Sequence, residues 1–438
     1  MRNRSGQAAI IIAMAMLGAG AAQAERQNVS VGGFSLANGR PTLTSDDGTF
    51  SVQFRALLQF DAANYNASGS GPDLESGQNL RRLYLGIQGN AFGDLRYVLT
   101  GDFGSSNGKT NTGRIQSAYL EYQGLAPFAL RAGVYPTPVG LEDSTSASDT
   151  PFLERTAPSD VLRKMAGGDG REGVSLLYTA ERLYAALSYT AESINEQGIA
   201  TGQQAIVARF AQVAYASAGV HLIMAAETTY LFQAAEPLGS GGQQRISFFA
   251  SPEVAVDRNG TNLVSTGSLA AGRAHAWGVE AGAAWHNLFA QGGYFAYIAR
   301  DRIAPLPDAH FTGWYLEGSW VLTGEAREYL TASGTFAAPK PARSIASANG
   351  WGAWELAARY SDLNLNDAPG LAGSPAPKGV RGGEQRAWTV GVNWYPNAFL
   401  RFTLDYQHIV SNAIASALPY AAHDLHIDAL SLRTQFAL

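Results

Sequence analysis

The chain has 438 residues, a formal net charge of −5 and no cysteine, which excludes disulfides and thiolate metal sites. Glycine is abundant at 49 residues, tyrosine and phenylalanine reach 19 each, and charged residues make up only 15%. This composition favours strands and tight turns over a helical enzyme, and the acidic balance argues against nucleic acid as a partner.

The first 24 residues have the pattern of a secretory signal peptide. Arg2 and Arg4 give a positive start, residues 8–17 are apolar, and an Ala-Gln-Ala cleavage site ends at Ala24. We therefore predict export and a mature chain that starts at Glu25. No later run of 18 apolar residues exists, so no later helix could cross a membrane. The open alternatives are a soluble exported protein and a β-barrel.

The stretch from Val52 to Asp61 alternates apolar and mostly polar residues with a period of two. Such alternation predicts a strand with one apolar and one polar face, because successive side chains of a strand point in opposite directions. Arg55 falls on the polar face. The pattern recurs along the chain with arginines on the polar side, as a barrel in lipid with a wet, charged interior requires.

Further two-faced strands follow in chain order. Residues 82–88 and 95–102 flank a turn and predict a hairpin, and two more strands are predicted near 117–122 and 128–135. In the second half, Trp277 and Trp285 lie eight positions apart on one face. At a strand tilt near 40° they would stand about 20 Å apart in height, which matches two aromatic girdles. A soluble β-sandwich, the alternative, would place such tryptophans in its core.

Short turns, such as 285–288 and 395–398, alternate with long connections rich in Gly, Ser and Pro. The long connections are predicted at 62–79, 104–113, 141–172, 191–204, 234–244, 335–350, 362–385 and 410–427. Short turns on one side and long loops on the other are typical of outer-membrane barrels. Sixteen strands would leave roughly 26 residues for each strand with its connection, and 14 or 18 strands would also fit.

The predicted domain organisation is a signal peptide at 1–24, a short N-terminal lead-in at 25–44 and a transmembrane antiparallel β-barrel at 45–438. The chain ends on alternating apolar residues from Leu430 to Leu438. We interpret this end as the closing strand of the barrel and as the signal that the barrel-insertion machinery binds.

Several stretches resemble the phosphate-selective porins O and P. They are 80–85 (LRRLYL), 118–122 (AYLEY), 141–155 (LEDSTSASDTPFLER), 315–325 (YLEGSWVLTGE), 354–361 (WELAARYS) and 391–397 (GVNWYPN). The resemblance covers roughly residues 45–438. It implies a 16-stranded barrel in the outer membrane, a homotrimer, at least one loop folded into the pore, and an arginine ladder that passes phosphate or related anions.

The third loop of this chain departs from the pattern of the family it resembles. The family carries Ser-Ser-Lys ahead of the Asp-x-x-Phe-x-Glu-Arg stretch, whereas Ala147 and Ser148 stand here at the second Ser and the Lys. Lysine is scarce throughout, with only Lys109, Lys164, Lys340 and Lys378. A compact cation is therefore missing where the family offers one.

Eight arginines fall on the polar faces of predicted strands. They form the predicted pore-lining and anion-binding set: Arg55, Arg82, Arg96, Arg131, Arg209, Arg359, Arg401 and Arg433. Arginine keeps its charge in a pore, and its planar fork binds phosphate or carboxylate. Acids share these faces, so each arginine either pairs with a carboxylate or packs in the wall, or it contacts solute. The predicted constriction-loop residues are Ser144, Thr145, Ser146, Ser148 and Arg155, which offer hydroxyl and guanidinium donors.

The sequence thus predicts an outer-membrane porin that prefers anions such as phosphate. A porin for other small solutes, such as organic anions or sugars, remains the alternative. A barrel enzyme is the third reading, because residues 104–108 match the nucleophile-elbow pattern around Ser106, although no helix or base follows. His423 and His426 have no third ligand in view, so we predict no metal, no cofactor and no enzymatic activity.

Overall fold

The structure is a computed structural model that describes residues 31–37, 40–69, 73–105, 113–166, 168–196, 200–237, 239–303, 306–370, 378–414 and 422–438. The predicted signal peptide, most of the nucleophile-elbow pattern and the side chain of His423 lie outside the described residues. Within the described residues, no helix has the length and apolar character needed to cross a membrane.

The described residues contain a closed antiparallel barrel of sixteen strands. The strands are β1 (Ser51–Ser68), β2 (Gly77–Ala91), β3 (Leu95–Asp102), β4 (Arg114–Leu125), β5 (Phe128–Val134), β6 (Arg171–Ala180), β7 (Leu183–Ser193), β8 (Gln204–Ser217), β9 (Val220–Gln233), β10 (Leu269–Trp285), β11 (Leu288–Arg302), β12 (Ala309–Val321), β13 (Ala353–Asp367), β14 (Val380–Tyr395), β15 (Leu400–Ile414) and β16 (Ala422–Ala437). Each strand pairs with the next, and β16 pairs with β1, with Phe436 opposite Leu58. The predictions of sixteen strands and of a C-terminal closing strand are confirmed.

The two faces of each strand meet different surroundings. On β1, Phe54 and Phe60 point outward and are 51% and 40% exposed, whereas Gln59 and Asp61 point inward and are fully buried. Trp277 and Trp285 are 40% and 60% exposed on the outer face of β10. The outside of the barrel is thus an apolar band with aromatic residues at its edges, as the alternation predicts.

A charge on this outer band should destabilise the barrel. Leu316 lies on β12 between two outward tryptophans and is 58% exposed. We expect Leu316→Arg to lower the free energy of unfolding by about 2–4 kcal/mol, because the guanidinium would enter hydrocarbon. Urea unfolding in phospholipid vesicles measures this. Ile345→Arg, at an exposed site on the connection between β12 and β13, is the matched control. Equal losses for both variants would contradict a lipid-facing band at Leu316.

Part of the predicted lead-in extends the sheet. Val31–Ala37 and Arg40–Ser45 form an N-terminal hairpin. Its second strand pairs with the start of β1, with Leu43 opposite Val52, just beyond the point where β16 ends opposite Leu57. The hairpin therefore covers an edge of β1 that the closing strand leaves free.

Several predicted connections have other lengths in the structure. Strand structure extends to Ser68, Asp367 and Ile414, so the predicted loops at 62–79, 362–385 and 410–427 are too long. The polar residues there belong to the ends of the strands and not to loops. The predicted loop 234–244 is too short, because β10 begins only at Leu269.

One long connection lies at the end of the barrel that otherwise carries short turns. Chain direction alternates from strand to strand, so residues 322–352, between β12 and β13, fall at the same end as the turns at 92–94, 181–182 and 286–287. The expectation that all long connections share one side is wrong for the predicted loop 335–350. Short turns mark the periplasmic end of such barrels.

Candidate functional site

Three connections fold into the barrel and fill much of its interior. We name them the constriction loop (135–170), the cross-lumen loop (234–268) and the inner loop (322–352). The constriction loop contains α1 (Leu141–Ser144) and α2 (Ala157–Ala166). The loop folded into the pore, which the resemblance implies, is therefore present.

Helix α2 is held against the wall by its apolar face. Ala157, Val161 and Leu162 are at most 3% exposed and pack among buried residues of the barrel wall. Asp160, Arg163 and Lys164 fall on the opposite face and line the remaining channel. The amphipathic pattern of this short helix thus positions its charges toward solute.

The other two segments pack against the same half of the barrel. In the cross-lumen loop, Phe248 is 2% exposed and lies 5.3 Å from the ring of Phe311 on β12. In the inner loop, Phe336 is 1% exposed and lies 5.2 Å from the ring of Phe289 on β11. The wall formed by β8–β16 is therefore largely covered by loops.

A channel of about 950 Å³ remains along the opposite wall, mainly beside β1–β7. Among the described residues, ten cationic side chains line it, and these are Arg40, Arg55, Arg81, Arg82, Arg114, Arg131, Arg155, Arg163, Lys164 and Arg171. Seven acidic side chains line it, and these are Asp102, Asp143, Asp149, Glu154, Asp160, Asp169 and Glu253. The channel wall thus carries a positive excess, although the whole chain is acidic.

Glu154 of the constriction loop lies among three guanidinium groups. Its carboxylate accepts hydrogen bonds from Arg81 Nε at 2.7 Å, Arg82 Nη2 at 3.0 Å and Arg433 Nη2 at 2.9 Å. Arg433 also donates from Nε to Asp61 Oδ1 at 2.7 Å. Two predicted arginines, Arg82 and Arg433, are therefore brought together by an acid that the prediction does not include.

A β-bulge explains why two adjacent arginines both face inward. Gln59 lies opposite Arg82 and Phe60 lies opposite Leu80, so Arg81 is the extra residue of β2. Strict alternation would turn Arg81 outward. The prediction therefore misses this channel residue, and the consecutive arginines at 81–82 were the available signal.

The electrostatics of Glu154 follow from these contacts. Burial by itself would raise its pKa, but Arg81, Arg82 and Arg433 outweigh burial and hold the pKa well below its usual range. The carboxylate is therefore charged throughout the neutral and mildly acidic range, and it neutralises part of the arginine cluster.

Arg131 lies on the inner face of β5 and is paired as well. Its Nη2 donates to Glu121 Oε2 at 2.6 Å, and its guanidinium carbon lies 4.6 Å from the ring centroid of Tyr119. Tyr135 is a second aromatic neighbour at 5.4 Å. The guanidinium is thus held beside two aromatic rings at the channel wall.

Five of the eight predicted arginines are not channel-lining, namely Arg96 on β3 and four buried arginines. Arg209, Arg359, Arg401 and Arg433 are at most 5% exposed. Arg209 donates to the carbonyls of Ser333 and Gly334 in the inner loop, at 2.6 and 2.7 Å. In these positions the inward arginines hold the three loops to the wall, because carbonyls and carboxylates of the loops accept their hydrogen bonds.

Arg359 and Arg401 bind the constriction loop in the same way. Arg401 Nη1 donates to the carbonyl of Thr150 at 2.7 Å. Arg359 Nη1 donates to the carbonyl of Glu154 at 2.8 Å, and its Nη2 donates to Glu253 Oε2 of the cross-lumen loop at 2.7 Å. Arg359 therefore joins two loops to β13.

Arg55 and Arg96 differ from the other predicted arginines. Within the described residues, neither guanidinium has a hydrogen-bonded or ion-paired partner. Arg55 lines the channel, and Arg96 lies on β3 close enough to repel it.

The predicted constriction-loop residues lie at the channel. Ser144, Thr145, Ser146, Ser148 and Arg155 all line it. Ser146 Oγ and Ser148 Oγ share a hydrogen bond of 2.8 Å, and Thr145 Oγ1 donates to the carbonyl of Leu141 at 2.9 Å. Arg155 donates to the carbonyls of Asp143 and Thr145, so it braces the loop. Ser146 and Ser148 are thus the hydroxyls best placed to meet a solute.

Apart from Arg155, sequence reasoning also missed the cations supplied by the loops and by the N-terminal hairpin. Arg163 donates from Nη1 to Asp143 at 2.8 Å and from Nη2 to Asp169 at 2.9 Å. Arg40 reaches the channel from the hairpin. Among the described residues, no group of three His, Asp or Glu side chains has the arrangement of a metal site.

Comparisons with known proteins agree with this geometry. The family model described as "Phosphate-selective porin O and P" matches residues 50–438. Porin O of Pseudomonas aeruginosa is 24% identical over 415 residues, covering 90% of this chain and 92% of that protein.

Solved structures show the same fold at low sequence identity. OmpT (in-vitro folded), an outer membrane protein of Vibrio cholerae, is 10% identical with a TM-score of 0.55 and covers 89% of this chain and 98% of its own. The high-pH structure of Pseudomonas putida OprB is 9% identical with a TM-score of 0.54, covering 88% of this chain and 94% of its own.

Proposed function

The chain belongs to the phosphate-selective porin O and P family, and on that premise we propose that it is an outer-membrane diffusion channel that prefers anions. The observation that carries the preference is the charge of the channel wall, with ten cationic side chains against seven acidic side chains in the described residues of an acidic chain. An excess of fixed positive charge concentrates anions and repels cations at the mouth of a narrow pore.

Reversal potentials across planar bilayers test this proposal. With a tenfold KCl gradient, we expect a potential of the sign given by chloride permeation. The outcome that overturns the proposal is a potential of the opposite sign, which would mean that potassium crosses more readily.

We propose phosphate and related oxyanions as solutes, with a preference limited by the constriction loop. Ser148 lines the channel with a hydroxyl where the resembled family carries lysine. We expect Ser148→Lys to strengthen phosphate block of the chloride current by roughly tenfold, because a charge-assisted hydrogen bond contributes about 1.5–3 kcal/mol. The half-blocking phosphate concentration measures it. Ser148→Gln is the neutral control of similar length, and equal block by both variants would contradict a role for charge at position 148.

Organic anions are the second candidate, favoured by a specific feature of the wall. Tyr84, Tyr119, Tyr135 and Tyr184 line the channel beside the arginines. Aromatic faces next to guanidinium groups suit a carboxylate with an apolar body. Stronger block of the chloride current by benzoate than by phosphate, with both added at the same concentration of anionic charge, would favour this candidate.

The remaining parts of the proposal concern assembly. We propose export with cleavage after Ala24, recognition of β16 by the barrel-insertion machinery, and a homotrimer, as the resemblance to the family implies. The proposed partners are small anions and outer-membrane lipid, not nucleic acid, and the proposed activity is passage and not catalysis.

A further inference from the structure

Two glutamates on adjacent strands meet inside the half of the barrel that the loops cover. Glu227 on β9 and Glu280 on β10 point inward and are 4% and 5% exposed. Glu227 lies opposite Gly278 and Glu280 lies opposite Ala225, so the two side chains are diagonal neighbours across one pair of strands. Their carboxyl groups lie within hydrogen-bonding reach of each other. Neither residue lines the channel, so contact with solute does not explain this pair.

Glu280 anchors the constriction loop to the wall. Its Oε2 accepts a hydrogen bond from the backbone N–H of Leu141, the first residue of α1. Its Oε1 accepts a hydrogen bond from the hydroxyl of Tyr315 on β12 at 2.8 Å. Leu141 is fully buried, whereas Asp143 and Ser144, at the other end of this short helix, line the channel. The position of these two lining residues therefore depends on the contact between Glu280 and α1.

Glu227 has no comparable donor. Among the described residues, no N–H or O–H group donates to either oxygen of Glu227, and both atoms are buried. Arg209 on β8 lies opposite Glu227 in the sheet, but its Nη atoms donate to the carbonyls of Ser333 and Gly334. A buried carboxylate without a partner is costly, whereas a protonated carboxyl group has a hydrogen to donate. The acceptor within its reach is Glu280.

We propose that Glu227 and Glu280 share one proton and that this proton holds the constriction loop in place. Glu227 carries the proton and donates it in a hydrogen bond to Glu280, because the Glu280 oxygens act as acceptors and a carboxylate can accept several hydrogen bonds. Two carboxyl groups in contact repel strongly if both ionise, so the site retains one proton at neutral pH. The proposal rests on the proposed channel function, which it deepens with a pH-dependent control of the constriction.

The groups packed around this pair favour the retention of the proton. Arg209 is the cation that acts on both carboxyl groups among the described residues, and it is engaged by the inner loop. The other titratable groups around the pair and its tyrosine neighbours are Tyr297 from β11, Tyr315 and Glu317 from β12, Glu142 and Asp160 from the constriction loop, and, near Arg209, Tyr329 from the inner loop. A second negative charge in the pair would thus stand mainly among acids and tyrosines.

The sign of the pH effect follows from this arrangement. At acidic and neutral pH the pair keeps its proton, and Glu280 holds α1. As pH rises and the shared proton is lost, the two carboxylates repel each other, and the contact between Glu280 and Leu141 weakens. The constriction loop should therefore be held below the pH at which the pair ionises and released above it.

The conductance of the wild type against that of Glu227→Gln tests the proposal. A glutamine amide donates to Glu280 as the protonated carboxyl group does, but it has no proton to lose. Full-length channels are recorded in planar bilayers between about pH 6 and about pH 10, where buried carboxyl groups in contact ionise. We expect equal single-channel conductance at the acidic end and a larger conductance of the wild type at the alkaline end. Other groups titrate in both channels, so their effects cancel in the comparison.

A second measurement follows the loop itself and does not depend on ion passage. The chain has no cysteine, so Val139→Cys introduces a single thiol two residues before Leu141, at a site that is 0% exposed. At alkaline pH we expect a methanethiosulfonate reagent to modify this thiol roughly tenfold faster with Glu227 than with Glu227→Gln, because losing one charge-assisted hydrogen bond shifts an equilibrium by about that factor. Comparison at the same pH cancels the ionisation of the thiol itself.

Two further variants make the result specific. Glu280→Gln also leaves one carboxyl group in the pair, so it should show the same loss of the alkaline response as Glu227→Gln. Glu172→Gln is the matched control, because Glu172 on β6 lies near Glu192 on β7 but is partly exposed and does not line the channel. This control should follow the wild type in both measurements. Thermal unfolding at neutral pH shows whether each variant is folded.

The proposal is overturned if the wild type and Glu227→Gln have the same conductance and the same rate of thiol modification across this pH range. An alkaline response that persists in both Glu227→Gln and Glu280→Gln would place the pH sensitivity in another group and would also overturn it. Either failure is distinct from failure of the proposed function, which would appear as a cation-selective reversal potential of the wild-type channel.

Discussion

Glu154→Gln should raise the preference of the channel for anions. The carboxylate accepts hydrogen bonds from Arg81, Arg82 and Arg433, and the glutamine amide would keep the shape while removing the charge. The interaction of one unit charge with an ion 4 Å away amounts to about 1 kcal/mol in bulk water and about 4 kcal/mol near a protein surface. We therefore expect the chloride-to-potassium permeability ratio to rise roughly fivefold or more, measured by reversal potentials in a KCl gradient.

Two comparisons make this result specific. Glu328→Gln removes the same charge from an exposed residue of the inner loop, which pairs with Lys340 at 3.7 Å, and should leave the ratio unchanged. A ratio that stays at the wild-type value in Glu154→Gln would show that the three guanidinium groups do not act on permeating ions.

The pH dependence of the wild type follows from the same contacts. A carboxylate whose pKa is lowered in the folded protein contributes stability above its ordinary pKa, and loses that contribution as pH falls through the lowered value. For Glu154 the contribution is therefore complete at neutral pH, declines as pH falls below the ordinary pKa of a glutamate, and is lost once pH falls below the lowered pKa. The permeability ratio of the wild type should approach that of Glu154→Gln only in this acidic range.

Arg359→Gln should release the loops from the wall. Arg359 is 5% exposed and binds the carbonyl of Glu154 and the carboxylate of Glu253, with its guanidinium carbon 4.4 Å from the ring centroid of Phe152. Removing one partner of a buried ion pair typically costs about 3–5 kcal/mol, because the remaining charge stays buried and unpaired. We expect a matching loss in the free energy of unfolding and a larger, noisier single-channel conductance.

Arg386→Gln is the control for this change. Arg386 lies 3.5 Å from Glu384 at a surface where its side chain is 43% exposed, and such pairs contribute about 0–1 kcal/mol. Arg359→Lys keeps the charge but cannot bridge both loops, so its conductance should fall between wild type and Arg359→Gln. Unchanged conductance in Arg359→Gln would mean that the loops hold their positions without this residue.

The period of two along the chain was sufficient to predict the barrel. Alternation at 52–61 turns Phe54 toward lipid and Arg55 toward the lumen. It also fixes the strand register, because a slip by one residue would exchange the two faces. The breaks in this rule were harder to predict. The bulge that turns both Arg81 and Arg82 inward depends on pairing with Gln59 and Phe60, residues on a neighbouring strand.

The site was predicted less completely than the fold. All eight arginines lie on inward faces, but the sequence does not say what each one meets there. Arg209 and Arg401 meet carbonyls of loops that lie more than a hundred residues away in the chain, Ser333 and Thr150. These contacts form only once the loops fold into the barrel, so strand periodicity cannot predict them.

The sequence by itself determined the closed barrel, its lipid-facing band and the inward direction of the strand arginines, because these depend on local alternation. The tertiary structure alone decided which charges face solute. The constriction, cross-lumen and inner loops cover one half of the wall and bind its arginines, whereas the N-terminal hairpin adds Arg40 to the other half. Charge in a narrow channel depends on which groups are left unpaired after the loops have packed, and long-range contacts set that balance.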